Sequence, residues 1–132
     1  MSALEKIICQ NKKAHHDYFI EKSVEAGIVL SGSEVKSLRA GKAQLMDAYA
    51  DFHDNELHLH QLYIEPYSHA THVAPEPRRT RKLLMHRREL ASLQQDTRAK
   101  GVTLVPLKLY FKGPIVKVDL GLARGKKKHD KR

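Results

Sequence analysis

Apolar residues recur at every second position through Thr103, Val105, Leu107, Leu109 and Phe111, and again through Val116, Val118, Leu120 and Leu122. A period of two predicts two half-buried strands, turned about Lys112-Gly113-Pro114. Pro106 has no amide hydrogen to give to a ladder and marks an edge or a bulge. An earlier hairpin has the same form. Residues 48–53 and 57–60 alternate apolar with polar on either side of Asp54-Asn55-Glu56. The apolar phase then moves from Leu57 and Leu59 to Leu62 and Ile64, which strict alternation forbids, so a bulge is expected near Gln61.

Upstream, residues 17–21 and 27–30 read as two short strands joined through residues 23–26, with the chain bent at Gly27. Ser31-Gly32-Ser33-Glu34 has the spacing of a capping box, and predicts a short helix that stops at Gly41. Residues 66–77 hold three prolines and read as a loop. A second helix is expected over about residues 84–100, burying Leu90 and Leu93 and ending at Gly101. The pattern therefore predicts a β-rich fold with two to three short helices: a six-stranded antiparallel Greek-key barrel like an OB-fold, over residues 1–123. Residues 124–132 follow as a basic, flexible tail, because six Lys or Arg against one acid leave too little apolar surface to offset the entropy of ordering.

Charge adds direction to this picture. Up to Pro77 the chain has seven Lys or Arg and eleven acids, net −4; beyond it, seventeen and four, net +13. Arg78, Arg79, Arg81, Lys82, Arg87 and Arg88 fall within eleven residues that contain no acid. A polarised cationic surface points to a polyanion, since neutralising phosphates releases counterions. Anionic membrane fits less well than nucleic acid, because no long amphipathic helix or lipidation motif is present.

Several classes of chemistry are absent. No apolar run approaches the ~20 residues that span a bilayer, so a cytoplasmic protein is expected. Cys9 stands alone, which excludes an internal disulfide and multi-cysteine zinc motifs. His58 and His60 share a strand face, but no histidine spacing matches a zinc site, and neither metal nor cofactor is assigned. No nucleophile elbow, P-loop or paired-carboxylate motif suggests an enzyme.

Five motifs then occur in a telling order: Asn11-Lys12-Lys13-Ala14, Glu25-Ala26-Gly27, the stretch from Gly32 to Lys42, Arg79-Thr80-Arg81-Lys82-Leu83-Leu84, and Gly121-Leu122-Ala123-Arg124-Gly125-Lys126-Lys127. Together they resemble the small protein B family, the SsrA-binding proteins. The resemblance implies a non-catalytic adaptor of trans-translation, one protein per RNA, that binds the tRNA-like domain of transfer-messenger RNA and accompanies it into stalled ribosomes. By matching position it implies that Asn11, Glu25, Leu84 and Lys117 contact RNA or shape the surface that does. Lys12, Lys13, Lys36, Arg39, Arg79, Arg81, Lys82, Arg124, Lys126 and Lys127 complete the expected RNA-binding set. Lys128, His129, Asp130, Lys131 and Arg132 fall where the family's tail acts near the decoding centre. The family continues past the Asp-Lys-Arg motif, so a truncation is expected at the end of this chain. Met85 also stands where a leucine is usual.

Taken singly, these residues have plainer explanations. Leu84 is by composition more often a core residue than a contact, Glu34 is accounted for by capping, and Lys117 by an outward strand face. Asn11 and Glu25 carry more information: an amide both donates and accepts, and a carboxylate repels phosphate while accepting from base or sugar donors, so an acid in an RNA face argues for readout beyond charge. The competing function is a basic structural component of a ribonucleoprotein, such as a ribosomal protein.

Overall fold

The computed structural model describes residues 4–68 and 74–126. Along the chain run β1 (Glu5–Gln10), α1 (Ala14–Asp17), β2 (Tyr18–Ile28), α2 (Gly32–Arg39), β3 (Ala43–Gln44), β4 (Tyr49–His53), β5 (Glu56–His60), β6 (Tyr63–Ile64), β7 (Arg81–Leu84), α3 (Arg87–Asp96), β8 (Val102–Lys112) and β9 (Ile115–Gly125). Each barrel strand pairs antiparallel with its neighbours in the order β8, β4, β5, β7, β2, β9, and the β8–β9 hairpin closes the ring. This is the expected six-stranded barrel. β1 lies outside the ring count, on the edge of β8 beyond β4, while β3 and β6 form a separate two-stranded sheet.

The strand number agrees with the sequence pattern, but the membership differs. Residues 17–30, expected as two strands with a linker, contain one eleven-residue strand. A register shift between Ile20 and Lys22 causes the apparent break. Before it, Tyr18 and Ile20 pack on the outside of the barrel under α1; after it, Val24, Ala26 and Ile28 face the core. The sixth strand is β7, of which the sequence pattern left residues 81–83 without an element and gave Leu84 to the helix. Its alternation is plain in burial, with Arg81 and Leu83 inside and Lys82 and Leu84 outside, but an inward arginine disguises it in the sequence. Helix α3 accordingly starts at Arg87 and ends at Asp96, inside the expected span, and buries Leu93.

The core is formed by Leu57, Leu59, Leu83, Leu104, Leu109, Val118 and Leu120 with their neighbours, and α2 adds Leu38. In β8 the pairing slips between Pro106 and Lys108, as the proline suggested. Val105 and Leu107 therefore join Ala14, Tyr18, Ile20 and Ala123 in a second, smaller cluster on the barrel's outer surface, whereas Leu109 and Phe111 belong to the interior. Gly121 permits this: a Cβ there would sit 3.2 Å from both Ile20 and Leu107 side-chain carbons. At Gln61, where a bulge was expected, φ is +66° and the chain leaves the barrel sheet for β6.

Candidate RNA interface

Strand register brings together residues that are far apart in sequence. Leu84 of β7 is opposite Gly27 of β2, Gly27 is opposite Lys117 of β9, and Lys117 is opposite Tyr110 of β8. One row thus crosses four strands on the outer face, and neighbouring strands stand ~4.8 Å apart. The next row is Glu25, Asp119 and Lys108, with Gln10 of β1 beyond it. Glu25, Leu84 and Lys117, each carried over from the family resemblance, consequently share one surface. Leu84 is half exposed, as is Ile115, and the two border a shallow groove of about 310 Å³ with Gly27, Val35 and Lys117.

Glu25 is held from two sides. The Tyr110 hydroxyl donates to Oε2 in a short hydrogen bond, and Lys112 Nζ lies 3.4 and 3.5 Å from the two carboxylate oxygens. The Tyr110 bond, followed by Lys112 and Lys117, keeps the Glu25 carboxyl below its ordinary value despite some burial. Burial, reinforced by Glu25, pushes the Tyr110 phenol well upward, so it stays a donor. Across the ladder, burial raises Asp119, with nearby Glu25 and Glu5 adding to the effect and Lys108 and Ser23 opposing it. Three acids and the three lysines 108, 112 and 117 make this patch nearly neutral. It is suited to directional hydrogen bonding more than to long-range attraction.

The corner around α1 is more cationic. Asn11 clips β1 to the slipped region of β8: its backbone N–H donates to Leu107 O at 2.8 Å and its Nδ2 to Pro106 O at 3.1 Å. Lys12 and Lys13 are exposed beside Asn11, at the rim of a cleft of about 670 Å³ that Tyr18, Met46 and Tyr49 also line. Lys126 reaches the same corner. Its Nζ donates to His15 O at 2.9 Å and lies 5.0 Å from the centre of the Phe19 ring. Arg124, expected as the first tail residue, is instead part of β9; it pairs with Glu21 and donates to Lys100 O at 3.1 Å.

The second basic cluster requires a correction. Arg81, expected at phosphate, is 0% exposed. Its guanidinium donates to Glu34 Oε2 at 2.6 and 2.9 Å and to the carbonyls of Leu62, Pro77 and Arg79, so it faces the interior and cannot reach RNA. Arg79 donates to the same carboxylate at 2.5 and 3.1 Å and keeps about a third of its side chain exposed. Glu34 also completes the capping box of α2 with Ser31. Burial raises the Glu34 carboxyl, but Arg79, the Ser31 amide and Arg81 together bring it below its ordinary value. Lys82 is bonded to Glu56 at 2.9 Å, and Lys36 lies 5.5 Å from the Tyr67 ring centre. Arg39 is exposed at the end of α2. These cations lie around α2 and β7, apart from the α1 corner.

Lys127 and the tail residues Lys128, His129, Asp130, Lys131 and Arg132 lie outside the described residues. Tyr110, Lys108, Lys112, Asp119 and Glu5 are members of the patch that sequence pattern did not single out. The available signal was Pro106: a slip there exchanges the faces of β8 and turns Tyr110 and Lys112 outward beside Glu25. Among the described residues, no group of three or more His, Cys, Asp or Glu could hold a metal ion, and no helix is long and apolar enough to cross a membrane. Burial pushes the Cys9 thiol up to about 11, which keeps it from acting as a nucleophile at neutral pH.

Comparison with known proteins bears on the whole of this surface. The SmpB protein family profile matches residues 8–132. The SsrA-binding protein of Geobacter metallireducens is 56% identical over 128 residues, which cover 97% of this chain and 84% of that protein. That of Geobacillus kaustophilus is 54% identical over 127 residues, covering 96% and 82%. A chain of the solved structure "tmRNA-SmpB: a journey to the center of the bacterial ribosome" superposes with a TM-score of 0.76 at 52% identity, over 94% of this chain and 87% of that one. With the profile matched from inside β1 to Arg132 and the barrel shared, the chain belongs to the SmpB protein family.

Proposed function

We propose that this chain binds transfer-messenger RNA and acts with it on the ribosome in trans-translation. The observation that carries the site is the strand register that gathers Glu25, Leu84 and Lys117, in two adjacent rows, from three strands onto one outer face. An RNA elbow made of interacting loops presents unstacked bases and sugar hydroxyls. Against it the face offers an acceptor at Glu25, an apolar seat at Leu84 and Ile115, and a cation at Lys117. The α1 corner, with Asn11, Lys12, Lys13 and Lys126, supplies attraction to the neighbouring backbone.

The protein is an adaptor that contributes surfaces and no bond chemistry, works in the cytoplasm and binds one RNA per chain. Its barrel holds the tRNA-like domain, and residues 128–132 serve the ribosome near the decoding centre. The test is a binding titration of the tRNA-like domain against an unstructured RNA of equal length, at several salt concentrations. Tight capture of the first and weak, strongly salt-dependent capture of the second is expected. Equal affinity for both would overturn the assignment.

A further inference from the structure

Tyr110 is 3% exposed, yet its hydroxyl reaches the outer face, because the slip in β8 turns this residue outward beside Lys117. Lys108 Nζ lies 4.9 Å from the centre of its ring, so a cation covers the ring. Its single proton is directed to Glu25 Oε2. Oε1 keeps only the long contact to Lys112, and the Glu25 side chain remains 36% exposed. A glutamate on an open strand face would sample many rotamers and lose that freedom on meeting a ligand. Here a tyrosine packed to 3% exposure already holds the carboxylate through its hydroxyl. Preorganisation of this kind raises affinity by lowering the cost of ordering at the moment of binding.

We propose that Tyr110 is a positioning residue for RNA recognition: its hydroxyl fixes the Glu25 carboxylate so that Oε1 accepts from an N–H or 2′-hydroxyl donor of the RNA. The inference rests on the outer face being the RNA-binding face. The polarity of the chain of bonds is set at both ends, since the phenol is held protonated and the carboxylate ionised. An acceptor so fixed selects for donors and rejects phosphate oxygens, which is the discrimination that the surrounding lysines cannot provide.

Tyr110→Phe retains the packed ring and deletes only the hydroxyl. Affinity for the tRNA-like domain should fall about ten-fold, the scale of a hydrogen bond to a charged group. Affinity for unstructured RNA should not change. In a Glu25→Ala background the same substitution should have almost no further effect, because Tyr110 acts through Glu25; a purely structural tyrosine would weaken both backgrounds alike. Thermal transitions of all four proteins are recorded in parallel. If Tyr110→Phe does not fold at the assay temperature, Lys112→Met tests the other contact to the same carboxylate, with a smaller loss that also vanishes in Glu25→Ala. A folded Tyr110→Phe protein as tight as the parent, or losses that simply multiply with Glu25→Ala, would overturn the proposal. A parent protein with no preference for the tRNA-like domain would instead overturn the function proposed above, and this inference with it.

Discussion

Glu34 is ringed by Ser31, Arg79 and Arg81 with 5% of its side chain exposed, whereas Glu25 has a tyrosine and a lysine against it and keeps 36% open. The same chemical group serves two ends. Around Glu34, donors from a helix cap, from β7 and from the segment just before it saturate the carboxylate, and the two arginines Arg79 and Arg81 are occupied by it. That region ties α2 to the barrel. Around Glu25, one oxygen is fixed and the other is presented on a surface of mixed sign. A run of positive residues therefore says little about phosphate binding until the acids that face it are known.

The largest test of this contrast is Arg81→Ala. Removing one partner of a buried ion pair leaves an uncompensated charge and costs about 3–5 kcal/mol. Chemical denaturation should show that loss, and the fraction still folded should keep the parent's salt dependence on unstructured RNA. An Arg81→Ala protein that unfolds with the parent but loses salt dependence would move Arg81 to the RNA and erase the distinction.

Glu25→Ala should behave in the opposite manner. Unfolding should shift by less than about 1 kcal/mol, as for surface ion pairs, while affinity for the tRNA-like domain drops by roughly ten-fold or more. Unstructured RNA should bind as before. Equal losses on both RNAs in filter binding would reduce Glu25 to an ordinary surface charge.

Acid sharpens the same contrast. The Glu34 carboxyl is depressed in the folded chain, so its contribution to stability is complete above the ordinary value of 4.5 and is lost as pH falls through the lower, folded value. The stability difference between the parent and Glu34→Gln, measured by urea unfolding, should be constant near neutrality and shrink only below about pH 4.5. A difference that already fades between pH 7 and 6 would exclude the buried carboxylate as its source.

The smallest expected effect belongs to the α1 corner. Lys12→Gln and Lys13→Gln should each weaken every RNA alike and reduce the log-affinity against log-salt slope by ~0.7–0.9, with no change in unfolding. Selective loss for the tRNA-like domain alone would transfer base readout from the Glu25 face to this corner.

Much of the barrel was legible because apolar residues alternate through the sequences of β8 and β9, even though β8 itself changes faces at Pro106, and because the capping box at Ser31 and Glu34 obeys local rules. What was hidden depends on long-range contacts. A strand as short as β7, with an arginine on its inner face, has no periodic signature that separates it from a basic loop. The break in β2 mimicked a turn because a register shift exchanges the faces on which Ile20 and Val24 lie. Glu25, Leu84 and Lys117 could be selected by family resemblance, but their adjacency follows from register through Gly27, which carries no side-chain signal. Tyr110 was concealed by the slip after Pro106, and Arg81 was misassigned because its partner, Glu34, lies 47 residues earlier.

The separation between Glu25 and Tyr110 is greater still, at 85 residues. Synthesis runs from the amino terminus, so Glu25 is made long before β9, which flanks it, and long before β8, which holds Tyr110; β9 is the last strand among the described residues. A chain interrupted before this hairpin has the glutamate without its tyrosine, and Gly27 without Lys117. Contacts of such range form late and slowly in folding. The face thus depends on β8 and β9 having been made: a fragment of this protein that stops before them, like the fragments left on stalled ribosomes, lacks it.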